Sequence, residues 1–145
     1  MGKKILIMDD DKDVLEMLKE VLTYENFEVD TVSDLALFLQ YFEEGCQPDL
    51  VIIDYLLRGI NGGEVCYQLK VNEQTCRIPV ILMSAYPQVF NSLGDYKCDE
   101  FIAKPFDLYD LVETIHSRIR VAESAANPHR LRKSKGARRF TAFRA

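Results

Sequence analysis

Short apolar runs alternate along the chain with segments whose apolar residues recur at helical spacing. The runs at 4–8, 27–32, 50–53, 78–83 and 100–103 predict five β-strands. Residues 50–53 are all apolar and three of them are β-branched, which predicts a strand buried on both faces. Residues 27–32 alternate between apolar and polar, which is typical of an edge strand with one exposed face.

Five helices are predicted between and after these strands. Asp11 and Ser33 are the expected N-caps of the first two, which end near Tyr24 and at Gly45. Later helices are predicted over 64–71, from 86 to about 93, and from Asp107 onward. Glycines and an asparagine indicate a tight, non-helical connection over 55–63. The alternation predicts an α/β fold with a parallel sheet, helices on both sides and right-handed crossovers.

Composition sets bounds on the class of protein. The chain of 145 residues is 48% hydrophobic and 28% charged, which suits one soluble domain with a sizeable core. The apolar runs are too short to cross a bilayer and the first residues do not resemble a signal peptide, so we expect a cytoplasmic protein with no membrane partner. The four cysteines lack C-x-x-C spacing, which favours reduced thiols over a zinc site.

Charge divides the chain into two parts. All 23 acidic residues precede Ser124, whereas seven of the 18 Lys and Arg residues follow it. We predict a folded domain over 1–122 and a basic tail or linker over 123–145, too short to form a DNA-binding domain. The tail is interpreted either as an arm that contacts nucleic acid or an acidic partner, or, as we favour, as a solvated remnant of a longer protein.

Polar residues follow or end four of the five predicted strands. They are Asp9 and Asp10 after the first strand, Asp54 after the third, Ser84 after the fourth and Lys104 after the fifth. Because the carboxyl ends of parallel strands share one edge of a sheet, where ligands bind, these side chains should converge. Clustered carboxylates favour a hard cation such as Mg²⁺, and a lysine beside them suits phosphate. The set suits phosphoryl transfer to Asp54 as the nucleophile.

Each of these residues also has an ordinary explanation. Asp54 and Ser84 are residue types common in turns, Asp9 suits a helix cap, and Lys104 is compatible with a solvated surface lysine. Any one of these explanations would be adequate for a single residue. Their coincidence at one edge of the sheet is what favours a functional site.

Five short motifs follow one another along the chain: IMDDD at 7–11, DLVIID at 49–54, NG at 61–62, MSA at 83–85 and FIAKPF at 101–106. Through these motifs the chain resembles, from Lys3 to Val121, the receiver domain of bacterial two-component response regulators. The resemblance implies a flavodoxin-like, doubly wound five-stranded parallel sheet in the order 2-1-3-4-5, with five helices. It also implies a phosphoprotein of a phosphorelay, phosphorylated by a histidine kinase or a phosphotransfer protein. Such a domain is no enzyme beyond its own phosphorylation and dephosphorylation.

The resemblance assigns a role to each residue at the sheet edge. Asp54 would be the phosphoacceptor. Asp10, Asp54 and the backbone carbonyl of Leu56 would bind Mg²⁺ directly, and Asp9 would hold it through water. Ser84 and Lys104 would bind the phosphoryl group.

The resemblance further implies a conformational switch. Ser84 and Phe101 would move together on phosphorylation and reshape the face formed by the fourth helix, the fifth strand and the fifth helix. Plain core packing is the alternative explanation for Phe101. The chain departs from the family pattern at Arg58, where the family usually has proline, which predicts a more mobile loop and a positive charge near the site. The segment from Ser84 to Lys104 is also slightly short and contains Pro87, within the fourth predicted helix.

Two other functions fit the sequence less well. The alternative is a Mg²⁺-dependent phosphohydrolase with an aspartyl-phosphate intermediate, but it needs a second acid close after the nucleophile, where the chain has Leu56, and a segment that caps the substrate. A flavin-binding module would need a hydroxyl- and glycine-rich loop after the first strand, where this chain has acids. Homodimerisation on phosphorylation remains an option, as does nucleic-acid binding through the tail or through an effector domain outside this sequence.

Overall fold

The computed structural model of the chain describes residues 2–86, 88 and 96–126. Within these residues, seven strands and four α-helices are formed. The strands are β1 Lys4–Met8, β2 Glu28–Val32, β3 Leu50–Asp54, β4 Leu56–Leu57, β5 Ile60–Asn61, β6 Val80–Ser84 and β7 Glu100–Ala103. The helices are α1 Lys12–Tyr24, α2 Leu35–Glu43, α3 Gly62–Val71 and α4 Leu108–Ala125.

Five of the strands form one parallel sheet in the order β2-β1-β3-β6-β7. If only the strands of this sheet are numbered, the order is the predicted 2-1-3-4-5, so the flavodoxin-like fold is confirmed. All five residues of the central strand β3 are buried, as its apolar sequence predicted. β2 lies at an edge of the sheet, as its alternating sequence predicted.

The sheet separates two apolar clusters. Successive side chains of a strand point to opposite faces, so neighbouring residues of β3 contribute to different clusters. Val51 and Ile53 pack with buried residues of α2 and α3, whereas Leu50 and Ile52 pack with buried residues of α1 and α4. Helices therefore cover both faces of the sheet.

Several helix boundaries were predicted correctly and two were not. Asp11 caps α1 and Asp107 caps α4, as expected. The cap of α2 is Asp34 and not Ser33, since the Asp34 carboxylate accepts a hydrogen bond from the backbone N–H of Leu37 at 2.8 Å. Serine and aspartate are both good N-caps, so the sequence alone could not choose between neighbours.

The segment 55–63 is more regular than the sequence indicated. β4 and β5 pair as a short antiparallel hairpin, with Leu56 opposite Asn61 and Leu57 opposite Ile60. Helix α3 then begins at Gly62, two positions earlier than predicted. The glycine-rich composition indicated a tight backbone but did not reveal that two of the glycines are helical.

The predicted helix from 86 to about 93 lies largely outside the described residues, as does the tail beyond 126. Helix α4 continues to Ala125, past the predicted domain boundary at 122. Among the residues described, none of the helices combines the length and the apolar character needed to cross a bilayer.

Candidate functional site

Three carboxylates converge where β1 and β3 end. Asp9 follows β1, Asp54 is the last residue of β3, and Asp10 lies beside them. One carboxylate oxygen from each lies within 4.8 Å of those of the other two. Asp9 is 1% exposed and Asp54 is 6% exposed, so two of the three charges are largely removed from water. The predicted convergence of the acids at one sheet edge is confirmed.

Lys104, which directly follows β7, supplies positive charge to this cluster. Its Nζ lies 2.8 Å from Oδ1 of Asp54 and donates a hydrogen bond to Oδ2 of Asp9 at 3.2 Å. Its backbone N–H donates to the carbonyl of Ser84 at 2.8 Å, which holds the residue after β7 next to the end of β6. One lysine thus contacts two of the three carboxylates and leaves a net negative charge.

Burial and neighbouring charges shift the pKa values of Asp54 and Lys104. Desolvation raises the pKa of Asp54, and the charges of Asp9 and Asp10 raise it further, while the hydrogen bond from Lys104 only partly opposes these effects. For Lys104, burial alone would lower the pKa, but the hydrogen bonds and charges of Asp54 and Asp9 outweigh it and raise the pKa. The ionised cluster is therefore short of positive charge.

A divalent cation fits this donor set. Hard carboxylate oxygens suit Mg²⁺, which is usually held by one or two carboxylates and completes its coordination with other oxygens. The carboxylates of Asp9, Asp10 and Asp54 are close enough to share one ion. Leu56, whose carbonyl is a further Mg²⁺ ligand implied by the family resemblance, lies two residues after Asp54 in β4.

Ser84 and Phe101 lie on the neighbouring strands β6 and β7. Asp54 pairs with Met83 across β3 and β6, so Ser84 is the next residue along the adjacent strand. Ser84 is 2% exposed, and its Oγ accepts a hydrogen bond from the backbone N–H of Tyr86 at 2.9 Å. Phe101 on β7 is partly buried and packs against the cluster on the α2 and α3 side. The structure thus places Ser84 beside the end of β3, and Phe101 on the next strand outward, opposite Leu82.

Arg58 contacts the site directly, although sequence reasoning expected only a nearby charge on a mobile loop. Its backbone N–H donates to Oδ2 of Asp10 at 3.0 Å, and its Nε lies 3.8 Å from the same oxygen. The side chain of Arg58 is 90% exposed, so this ion pair is well screened by water. A cavity of about 260 Å³ opens beside Asp10; it is lined by Asp10, Lys12, Ser33, Asp34, Leu35, Leu57, Arg58 and Ile60.

Asn61 and Gly62 were missed as site residues. The Asn61 side chain caps α3, and Gly62 donates its backbone N–H to the carbonyl of Tyr55 at 2.7 Å, which closes the hairpin onto the end of β3. A small polar residue before a helical segment is an N-cap signal, so the cap of α3 could have been found from the sequence. The contact of Asn61 with Tyr96, a residue far along the chain, could not have been found in this way.

Gly62→Ala is expected to lower the free energy of unfolding by about 2–3 kcal/mol. A Cβ at Gly62 would overlap the backbone oxygen of Asp54 and lie 3.0 Å from Cγ2 of Ile53. Because a main-chain atom blocks the space, only a shift of the hairpin or of the end of β3 can relieve the overlap. Chemical denaturation measures the loss.

Gly59→Ala is the matched control. Gly59 has a φ of +67°, but no atom lies within 4 Å of the added Cβ. Its cost should be that of a left-handed backbone alone, about 1 kcal/mol. Equal losses in the two variants would show that the contact between Gly62 and Asp54 does not restrict the hairpin.

Comparison with known proteins agrees with this geometry. Residues 5–116 match the response regulator receiver domain family. Curated relatives include the response regulator ArlR of Staphylococcus saprophyticus and of Staphylococcus aureus, each 32% identical over 81% of this chain and 52% of the relative. The chain spans about half the length of these curated relatives.

Solved structures show the same fold. The response regulator TrrA from Thermotoga maritima, solved in complex with Mg²⁺ and BeF, is 33% identical with a TM-score of 0.71 and covers 80% of this chain and 98% of its own. A CheY-like receiver domain protein from Methanospirillum hungatei is 26% identical with a TM-score of 0.78 and covers 86% of this chain and 99% of its own. The chain belongs to the response regulator receiver domain family of two-component signalling proteins.

Proposed function

We propose that the chain receives a phosphoryl group on Asp54 from a histidine kinase or a phosphotransfer protein, with Mg²⁺ bound beside it. The observation that carries this proposal is the cluster itself: Lys104 reaches both Asp54 and Asp9, and Asp10 completes a group of three carboxylates. A site built only for stability would not concentrate buried negative charge in this way, because unpaired buried carboxylates destabilise the fold.

Asp54 is the nucleophile in this proposal. It ends the central strand, where the backbone is fixed by pairing with β6 and by the hydrogen bond from the N–H of Tyr55 to the carbonyl of Met83 at 2.7 Å. A carboxylate oxygen of Asp54 attacks phosphorus and forms an O–P bond as the P–N bond to the donor imidazole breaks. The imidazole keeps the electron pair and takes up a proton. Lys104 contacts an oxygen of the transferred group and so offsets its charge.

Asp9, Asp10, Asp54 and the backbone carbonyl of Leu56 would hold the cation, with Asp9 acting through water. When bound, Mg²⁺ supplies positive charge against the phosphoryl oxygens. The occurrence of Mg²⁺ and BeF in the TrrA complex supports the same use of this chain's acids. The Ser84 hydroxyl would donate a hydrogen bond to the phosphoryl group, since Ser84 ends the strand next to Asp54.

Phosphorylation would be transmitted through Ser84 and Phe101. The Ser84 hydroxyl accepts a hydrogen bond from the N–H of Tyr86, so drawing it toward a phosphoryl group would break that contact. Phe101 lies on β7, opposite Leu82 of β6, and would turn into the space released. The chain's signalling surface would then include β7 and α4.

No observation favours the phosphohydrolase alternative. The position two residues after Asp54 is the apolar Leu56, which is 54% exposed and has no proton to donate to a leaving group. The connection from β3 to α3 is a hairpin of a few residues, too short to cover a substrate.

The experiment that tests the function is labelling by acetyl phosphate with and without Mg²⁺. We expect one phosphoryl group per chain with Mg²⁺ and almost none in EDTA, because the acids and Lys104 alone leave the transferring group short of positive charge. The bond should be labile to hydroxylamine, as an acyl phosphate is. Sustained release of phosphate from simple phosphate esters would favour a hydrolase, and no label with Mg²⁺ would overturn the proposal.

A further inference from the structure

The Asn61 side chain helps to hold the hairpin after Asp54 against its surroundings. Asn61 lies directly opposite Leu56 in the pairing of β4 with β5. Leu56 is the residue whose carbonyl is a proposed Mg²⁺ ligand. The position of Asn61 therefore influences where that carbonyl lies.

Both the oxygen and the nitrogen of the Asn61 carboxamide form hydrogen bonds. Its Oδ1 accepts hydrogen bonds from the backbone N–H groups of Gly63 at 2.7 Å and Glu64 at 3.2 Å, which caps helix α3. Its Nδ2 donates to the hydroxyl of Tyr96 at 3.2 Å and, more weakly, to that of Tyr55 at 3.4 Å. One side chain thus joins the start of a helix to two aromatic rings.

Tyr96 is held closely at this position. Its ring lies over Gly63, where a Cβ would come within 2.5 Å of Cε2, and its centroid is 6.1 Å from that of Tyr55. Its carbonyl accepts a hydrogen bond from Sγ of the buried Cys66 at 3.6 Å. Tyr96 lies shortly before β7, so these contacts connect the segment after β3 with the segment that leads into β7.

We propose that Asn61 and Tyr96 are positioning residues that hold the hairpin, and with it the Leu56 carbonyl, in place for Mg²⁺ binding. The inference rests on the proposed function, since it concerns the same cation. A hydrogen bond of this kind contributes modestly, so loss of the contact should weaken Mg²⁺ binding by about three- to tenfold. The coupling is reciprocal: Mg²⁺ binding should tighten the contact between Asn61 and Tyr96.

The test is titration of the full chain with MgCl₂, followed by its amide NMR signals. Tyr96→Phe keeps the ring and removes only the hydroxyl, and Asn61→Ser keeps a capping oxygen but has no amide to donate. Each variant should raise the Mg²⁺ dissociation constant about three- to tenfold. The dissociation constant of the double variant should not exceed that of the weaker-binding single variant, as expected for partners in one contact. Tyr109→Phe, on an exposed residue of α4, is the control and should bind as the parent does.

A spectroscopic signal separates positioning from simple stability. In chains labelled with fluorotyrosine, the ¹⁹F resonance of Tyr96, assigned by its absence in Tyr96→Phe, should shift on addition of Mg²⁺ in the parent and not in Asn61→Ser. Suppose that the parent binds Mg²⁺, that Tyr96→Phe binds it with the same affinity, and that the Tyr96 signal of the parent does not respond to Mg²⁺. This inference is then wrong and the proposed function is unaffected. If the parent does not bind Mg²⁺ at all, both are wrong.

Discussion

Asp54→Asn is expected to abolish labelling by acetyl phosphate and, at the same time, to stabilise the chain in the absence of Mg²⁺. Labelling is lost because a carboxamide is not a nucleophile toward phosphorus under these conditions. The stability should rise because Asp54 is 6% exposed and lies beside two further carboxylates. Loss of function and gain of stability in one variant would be the expected pattern for a residue kept for its chemistry.

The stabilisation should depend on pH in a defined direction. Burial raises the pKa of Asp54, so between its ordinary value and the raised one the folded chain binds more protons than the unfolded chain. The free energy of unfolding of the parent therefore falls as pH rises through this interval, and the full cost is reached above the raised pKa. Asp54→Asn has no such proton to lose. The free energy of unfolding of the variant should exceed that of the parent by on the order of 1 kcal/mol at pH 7 and by little at pH 4.

Denaturant unfolding in EDTA, repeated between pH 4 and pH 7, measures this difference. Asp107→Asn is the matched control, because it removes one carboxylate from an exposed helix cap and asparagine caps equally well. The control should be labelled normally and show little change in stability. Labelling of Asp54→Asn at the parental level would refute the assignment of the phosphoacceptor.

Lys104→Met is expected to slow phosphorylation by about 10²-fold or more, with Mg²⁺ present. Methionine keeps a long unbranched side chain but removes the ammonium group that contacts Asp54 and Asp9. Because that charge lies next to the attacking carboxylate, its contribution should be larger in the transition state, when negative charge accumulates on the phosphoryl oxygens. Single-turnover labelling at saturating acetyl phosphate gives the rate.

Lys70→Met is the control for the loss of a partly buried lysine. Lys70 donates to Asp99 at 2.7 Å and to the carbonyl of Ile78 at 3.0 Å, away from the carboxylate cluster. The Lys70→Met variant should have a lower free energy of unfolding than the parent, and its labelling rate should be near that of the parent. A Lys104→Met variant that is labelled as fast as Lys70→Met would show that the lysine at the sheet edge has no part in the reaction.

The sequence predicted most of the site because the site is built from strand ends. Four apolar runs that end in or are followed by polar residues can be recognised without a structure, and the parallel topology then brings Asp9, Asp54, Ser84 and Lys104 to one edge. The central position of β3 followed from its continuous apolar sequence. These features depend on local pattern and on one rule of topology.

What the sequence did not predict depends on contacts between distant residues. Asn61 and Tyr96 are separated by 35 positions, and neither lies in a periodic segment that would bring them together. The contact of Arg58 with Asp10 spans 48 positions and arises from a backbone N–H, which any residue type except proline could provide. The choice of Asp34 over Ser33 as a cap is a difference of one residue between two suitable side chains.

The division of the core by β3 also fixes the length of that strand. Val51 and Ile53 face one helix layer and Leu50 and Ile52 face the other, so Asp54 continues the alternation beyond the last apolar residue. An insertion or deletion of one residue within β3 would exchange the two sets of apolar side chains and turn the carboxylate to the opposite face. Length variation within this strand is therefore acceptable only in steps of two residues.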